Sequence, residues 1–457
     1  MTELPTELPP ELPPELTGIE TFTTGADKHP LGKGLRPAFH ALWHLKALGV
    51  VDDLTNFGGA WASHQPDLGV RVAVIDTPVA HDHPNLEGAI DLALMRDFSI
   101  HEEGVFVVPT DDGPIRAARE RLVADLSEWT GEGVEDAKRT IEKETAKHDD
   151  RPYCRPRSFG AHGTAIVGLI GARPATVDLR KPTFLGEPEE PSDNHALPLP
   201  YAGVNPFCTI IPITTSASPD PDMVLAALQY ARLIRPDIVV IAAAWEDHRH
   251  RKSRWAKVDK ALLALCRDSV VLCAAGNSGD IDLAYPACLS VEPDGPIAVT
   301  ACDTAGNVLA YAPDPKTNDR VLRTLSSWSE AYSSKGVIRD PWKAVDPMIV
   351  QPAEDPTMEG HIVDRPAEGL IALDAPGPYG YNPSPFRYRP SGKGPHFDIG
   401  SLYCQFSGTS ASTALAAGLI GLAIQDRRKS GKEAKRPKDL QPGKAVLTYA
   451  EAQKLYS

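Results

Sequence analysis

Apolar positions along this chain follow two periods. "GVRVAVIDTPV", from Gly69, is a continuous run rich in β-branched residues, which predicts a strand buried on both faces. "PDIVVIAAAW" from Pro236 and "SVVLCAAGN" from Ser269 predict two more buried strands, and "GPIAVTACD" from Gly295 another. Between the second and third of these, "RWAKVDKALLALCRD" carries helical spacing. "RPAFHALWHLKAL", residues 36–48, reads as an amphipathic helix with Pro37 in its first turn. "HGTAIVGLIGA" from His162 and "SASTALAAG" from Ser410 read as helices built from small residues. Strands alternating with helices predict an α/β fold: a mostly parallel central sheet with helices on both faces.

Two stretches break that rhythm and are expected as insertions. Residues 100–158 are charged and helix-prone, as in "RAARERLVADLSEW". Residues 335–400 contain 11 prolines, too many for regular elements. The predicted organisation is then a Pro/Glu-rich tail over 1–30, one α/β domain over 31–425 and a C-terminal extension over 426–457. The tail repeats an ELPP-like unit, which favours extended polyproline II. The Lys-, Arg- and Pro-rich run from Asp426 to Lys444 reads as a solvated extension.

Composition narrows the function classes. Hydrophobic residues make up 42% and charged residues 24%, ordinary values for a globular protein. Asp and Glu number 61 against 47 Lys and Arg, a net charge of −14, which argues against nucleic acid as a partner. No apolar run approaches the roughly 20 residues of a bilayer span, so no membrane partner is expected. The N-terminus lacks the basic start and apolar core of a secretory signal, and a cytoplasmic location is expected. Seven cysteines, at 154, 208, 266, 273, 288, 302 and 404, show no CxxC spacing. Free thiols and no metal site are expected.

Three polar residues stand at the edges of apolar elements. Asp76 ends the strand "VAVID", His162 opens "HGTAIVG" and Ser410 opens "SASTALAAG". Strand C-termini and helix N-termini meet along one edge of a parallel α/β sheet, where ligands bind. Acyl transfer by serine needs this set: a nucleophile, a base to take its proton and a carboxylate to orient the imidazole. Asn277, after "CAAG" at a strand end, is placed to donate to an oxyanion, with the Ser410 backbone N–H as second donor.

Taken together, these stretches resemble a known family, the subtilisin-like serine proteases or subtilases. "AVIDTPVAHDHPNLEG" resembles the aspartate motif, "HGTAIVG" the histidine motif, "AAGNSG" the oxyanion-asparagine motif and "SGTSASTALAAG" the serine motif, in family order. "GVNPFCTIIPI", "AYPA" and "DAPG" match lesser blocks. The resemblance covers roughly residues 57–99 and 159–425. It implies a serine endopeptidase acting on a polypeptide substrate without a cofactor. Ser410 is then the nucleophile, His162 the base, Asp76 its orienting carboxylate and Asn277 the oxyanion donor. It also implies that Ala242, Ala243, Ala244 and Gly276 bind substrate. His81 and His83 become loop and packing residues, Cys273 and Cys288 structural thiols. Trp245 either lines a subsite or is a partly buried loop aromatic.

The departures from the family pattern are specific. Pro78 stands where glycine is usual, Ala411 replaces a common Met and Ala414 a usual Pro. The substrate-pairing strand ends in three alanines instead of a Ser-Leu-Gly-like turn. Only 75 residues precede Asp76, so a full inhibitory prodomain of the family's kind is not expected. The 100–158 stretch is either surface decoration or an arm that gates the site or receives a regulatory partner. Two rival functions stay open: a catalytically silent binding module of the same fold, and an esterase or transpeptidase using the same acyl-enzyme.

Overall fold

The computed structural model describes residues 42–52, 58–62, 69–99, 104–107, 116–117, 120, 160–178, 196–245, 252–279, 282–314, 321–326, 370–376, 380–381, 402–432 and 445–456. The chain begins there with α1 (Trp43–Ala47) and α2 (Gly59–Ala62), then β1 (Arg71–Asp76), β2 (Arg96–Asp97) and β3 (Val105–Phe106). Next come α3 (Gly160–Gly171), the hairpin pair β4 (Ala175–Asp178) and β5 (Ala196–Leu199), and β6 (Thr209–Thr214). Two helix–strand units follow: α4 (Pro221–Ile234) with β7 (Ile238–Ile241), and α5 (Lys252–Asp268) with β8 (Val270–Ala274). The rest is β9 (Ile297–Cys302), β10 (Val321–Leu325), β11 (Leu370–Leu373), β12 (Tyr403–Phe406), α6 (Gly408–Lys429) and α7 (Tyr449–Leu455).

The central sheet runs β10-β9-β8-β7-β1-β6-β2-β3. Its first seven strands are parallel, and β3 pairs antiparallel to β2. Alternation along β1 divides the core. Val72 and Val74 pack into one layer with α3 and α6, while Ala73 and Ile75 pack into the other with α4 and α5. Strands buried on both faces read as unbroken apolar runs, which is why the four strand predictions hold. β6 and β7 flank β1 on opposite sides, so the connections diverge at its C-terminal end, the place where sheets of this kind bind ligands.

α6 crosses the middle of one layer, and every residue from Gly408 to Gln425 is buried. Its small residues are a packing requirement. A Cβ on Gly418 would lie 2.5 Å from Val204 Cβ, and one on Gly421 would lie 2.8 Å from Asn205 Nδ2. Among the described residues α6 is the one helix long and apolar enough to cross a membrane, and the whole apolar window is enclosed by protein.

Several expectations change. The proline-rich 335–400 stretch is not all insertion: residues 370–373 form β11, fully buried and antiparallel to β12. Four apolar residues among 11 prolines are too short for a periodic signal. The 100–158 stretch begins with a sheet strand, β3, whose Phe106 is buried. The Arg96 guanidinium lies over the rings of Phe98, Phe106 and Tyr230 at 5.4, 4.8 and 5.0 Å, pinning this start to α4. α6 passes through the expected boundary at 425 to Lys429. Residues 445–456 dock on the domain: Leu447 N–H donates to Arg323 O, and Tyr449 N–H donates to Leu48 O. Helix α1 covers only residues 43–47 of the predicted 36–48, whose first part lies outside the described residues. So do the 1–30 tail, most of 100–158 with its gating arm, and residues 433–444.

Candidate active site

Asp76 ends β1 and is 2% exposed. Its Oδ1 accepts from His162 Nδ1 at 2.7 Å, from Thr77 N–H at 2.7 Å and from the Thr77 hydroxyl at 3.1 Å. A carboxylate acceptor places the proton on Nδ1, so Nε2 is left as the basic nitrogen. The ring edge packs on Phe406 with centroids 5.4 Å apart, and the side chain is 18% exposed. The two residues after His162 dock α3 onto the end of β1. Gly163 N–H donates to Thr77 Oγ1 at 2.9 Å, and Ala80 N–H donates to Thr164 Oγ1 at 2.9 Å. A Cβ on Gly163 would lie 2.2 Å from Thr77 O, so this close approach needs glycine.

Ser410 sits in the first turn of α6, where backbone N–H groups have no partner within the helix. Its hydroxyl donates to Ala242 O at 2.8 Å. Ile75 pairs with Ile241, so Ala242 follows β7 directly beside Asp76. Among the described hydrogen bonds none joins Ser410 to His162 directly. Asn277 follows β8 and is exposed. Its Oδ1 accepts from Thr409 N–H at 2.8 Å and lies 3.1 Å from the Thr409 hydroxyl. With Oδ1 so occupied, Nδ2 is the end left to donate.

The structure therefore brings Asp76 to His162, Ser410 to the strand end beside Asp76, and Asn277 to the residue preceding Ser410. Ala242 is buried and its carbonyl is engaged, Ala243 is half-buried, and Ala244 is exposed. Gly276 holds φ +114°, its N–H donates to Thr409 Oγ1 at 3.0 Å, and its carbonyl lies 3.2 Å from the same hydroxyl. Its peptide groups serve Thr409. His83 accepts from Asn85 N–H at 3.1 Å and donates through Nε2 to Leu402 O at 3.0 Å. Complete burial lowers its pKa to about 4 and keeps the ring neutral. Trp245 is buried and stacks on Trp255 at 5.7 Å, which makes it a core residue.

The six described cysteines are free, and all but Cys288 are buried. Burial pushes the thiols of Cys208 and Cys302 up to about 12 and those of Cys273 and Cys404 well up, so they are poor nucleophiles. Among the described residues no three metal-ligating side chains cluster. The sequence reading missed Thr77, Thr409, Ser326 and Tyr311, whose hydroxyls hold the motif residues in place. For the two threonines the available signal was adjacency to Asp76 and Ser410; Ser326 and Tyr311 carried none.

Comparison with known proteins addresses the family and the fold. A sequence model of the subtilase family matches residues 67–446. No curated protein matches the chain in sequence. Among solved structures, the nisin leader peptidase NisP from Lactococcus lactis is similar at a TM-score of 0.51 and 14% identity, over 91% of this chain and 94% of that one. The epidermin leader peptide processing serine protease EpiP from Staphylococcus aureus gives 0.48 and 15%, over 90% and 80%. The PatG macrocyclase domain gives 0.41 and 13%, over 85% and 92%. With the family match running through every element from β1 to α6, the chain belongs to the subtilase family of serine proteases.

Proposed function

We propose that the chain is a serine endopeptidase working through an acyl-enzyme, with Ser410, His162 and Asp76 as its triad. The observation that carries this reading is the 2.7 Å bond from His162 Nδ1 to the buried Asp76 carboxylate, at the sheet edge where α6 presents Ser410. In the resting arrangement the Ser410 proton points to Ala242 O. Substrate binding turns the hydroxyl to His162 Nε2, which takes the proton as Oγ attacks the scissile carbonyl. Asp76 stabilises the imidazolium that forms. Asn277 Nδ2 and the Ser410 N–H bind the oxyanion. His162 then protonates the leaving amine. In the second half-reaction it takes a proton from water, whose oxygen attacks the acyl carbon, and returns that proton to Ser410.

The test is a fluorophosphonate probe with a Ser410→Ala control, followed by product masses from a polypeptide substrate. Labelling at Ser410 and hydrolysed products are expected, both lost in the variant. Absence of labelling in folded wild type leaves the binding module. Products joined to an added amine, in preference to water, establish a transpeptidase.

A further inference from the structure

The Gly408–Thr409 peptide unit is gripped at both ends. Its carbonyl accepts from Ser326 Oγ at 2.9 Å, and its N–H donates to Asn277 Oδ1 at 2.8 Å. Both groups belong to one planar amide, so turning one turns the other. Gly408 N–H donates to the Tyr311 hydroxyl at 3.3 Å. Tyr311 oxygen thus holds the Gly408 N–H while Ser326 O–H holds the Gly408 carbonyl, so the residue is gripped on both sides. Ser326 is 3% and Tyr311 6% exposed. Burial pushes the phenol up to about 12, which keeps it neutral at working pH. Gly408 holds φ +84°, and a Cβ there would lie 3.0 Å from Asn277 Nδ2. Ser326 arrives from the end of β10 and Tyr311 from the turn after β9, outside the four motifs.

We infer that Ser326, backed by Tyr311, is a positioning residue for the oxyanion site: it fixes the peptide that fixes the Asn277 amide. The inference rests on the reading of Asn277 as an oxyanion donor. Ser326 touches no substrate and acts through the Gly408–Thr409 plane, holding Nδ2 aimed where negative charge develops.

The test measures fluorophosphonate inactivation, kinact and KI, for Ser326→Ala, Tyr311→Phe, Asn277→Ala and the two doubles containing Asn277→Ala. Ser326→Ala is expected to lower kinact about tenfold to a hundredfold, the range for a slightly misplaced catalytic donor, with KI within about twofold. Tyr311→Phe moves it the same way and carries the test alone if Ser326→Ala does not melt cooperatively. In the Asn277→Ala background either change adds less than about twofold, because the group being positioned is gone. Equal losses in both backgrounds, a loss confined to KI, or unchanged kinact in both variants overturns the positioning role. Unchanged kinact in Asn277→Ala overturns the oxyanion reading itself, and the positioning role with it.

Discussion

His162 and His83 differ in what their ring nitrogens meet. His162 faces a carboxylate through Nδ1, whereas both His83 nitrogens are used by peptide groups, one as acceptor and one as donor. A proton on His83 would break the bond from Asn85 N–H at a fully buried site. With a folded pKa near 4 against about 6.5 unfolded, only the unfolded chain takes up this proton as pH falls between those values. Stability is therefore full above about pH 6.5 and declines through that window, by about 3 kcal/mol in all. Urea unfolding of wild type and His83→Gln at several pH values checks this. The variant is less stable at neutral pH, and the gap closes toward pH 4; a pH-independent gap rules the linkage out. At Asn277, replacement by Ala should lower kcat about 10²–10³-fold with KM nearly unchanged, a magnitude measured on another subtilase. A rise in KM at constant kcat assigns Asn277 to ground-state binding instead. Asp76, His162, Asn277 and Ser410 were conspicuous in the sequence because each stands at the edge of an apolar run, within a subtilase-like motif. Thr77 and Ser326 were not, because a hydroxyl in such a run reads equally well as a turn or a satisfied core group.

At the scale of elements, legibility followed length and regularity. β1, β7, β8 and β9 each bury both faces and announced themselves. β6 carries Pro212 in its middle, a residue that counts against a central strand. It is tolerated because β1 pairs with it on one side, while on the other β2 reaches only Ile213 and Thr214. The C-terminal dock was invisible for a different reason. Val446 and Leu447 make a two-residue contact on the edge strand β10, with no period to read. That contact still closes one edge of the sheet. Leu447 and Tyr456 are 3% and 6% exposed, and the Thr324 hydroxyl donates to Leu447 O. Removing residues 445–457 exposes this apolar surface and is expected to cost at least about 3 kcal/mol, counting two large side chains returned to water. Because Thr324 lies two residues before Ser326, truncation should also slow labelling of Ser410 in protein that remains folded. Thermal melting and labelling of the truncated chain measure both effects. An unchanged melting temperature refutes the docking energetics.

At the scale of the whole molecule, the site belongs to neither core layer alone. α3 and α6 bring His162 and Ser410 from one layer, while Ala242 continues into Trp245, which stacks on Trp255 in the other. The sheet between them supplies Asp76 and Asn277 at the ends of β1 and β8. On the proposed mechanism, loosening one layer pulls Ser410 away from strand ends held by the other, and the site's geometry is a property of the assembled domain. Two reporters test this. Ser410 labelling reads the α6 layer, and the exciton signal of the stacked Trp245–Trp255 pair in circular dichroism reads the α4–α5 layer. Under increasing urea both should vanish in one transition with the same midpoint, as for a cooperative two-state unit. Ser326→Ala, which leaves the Trp pair untouched, should shift the two midpoints together if it shifts them at all. Loss of labelling well before the Trp couplet would mean that the α3–α6 layer opens by itself, and would replace the single cooperative unit with two.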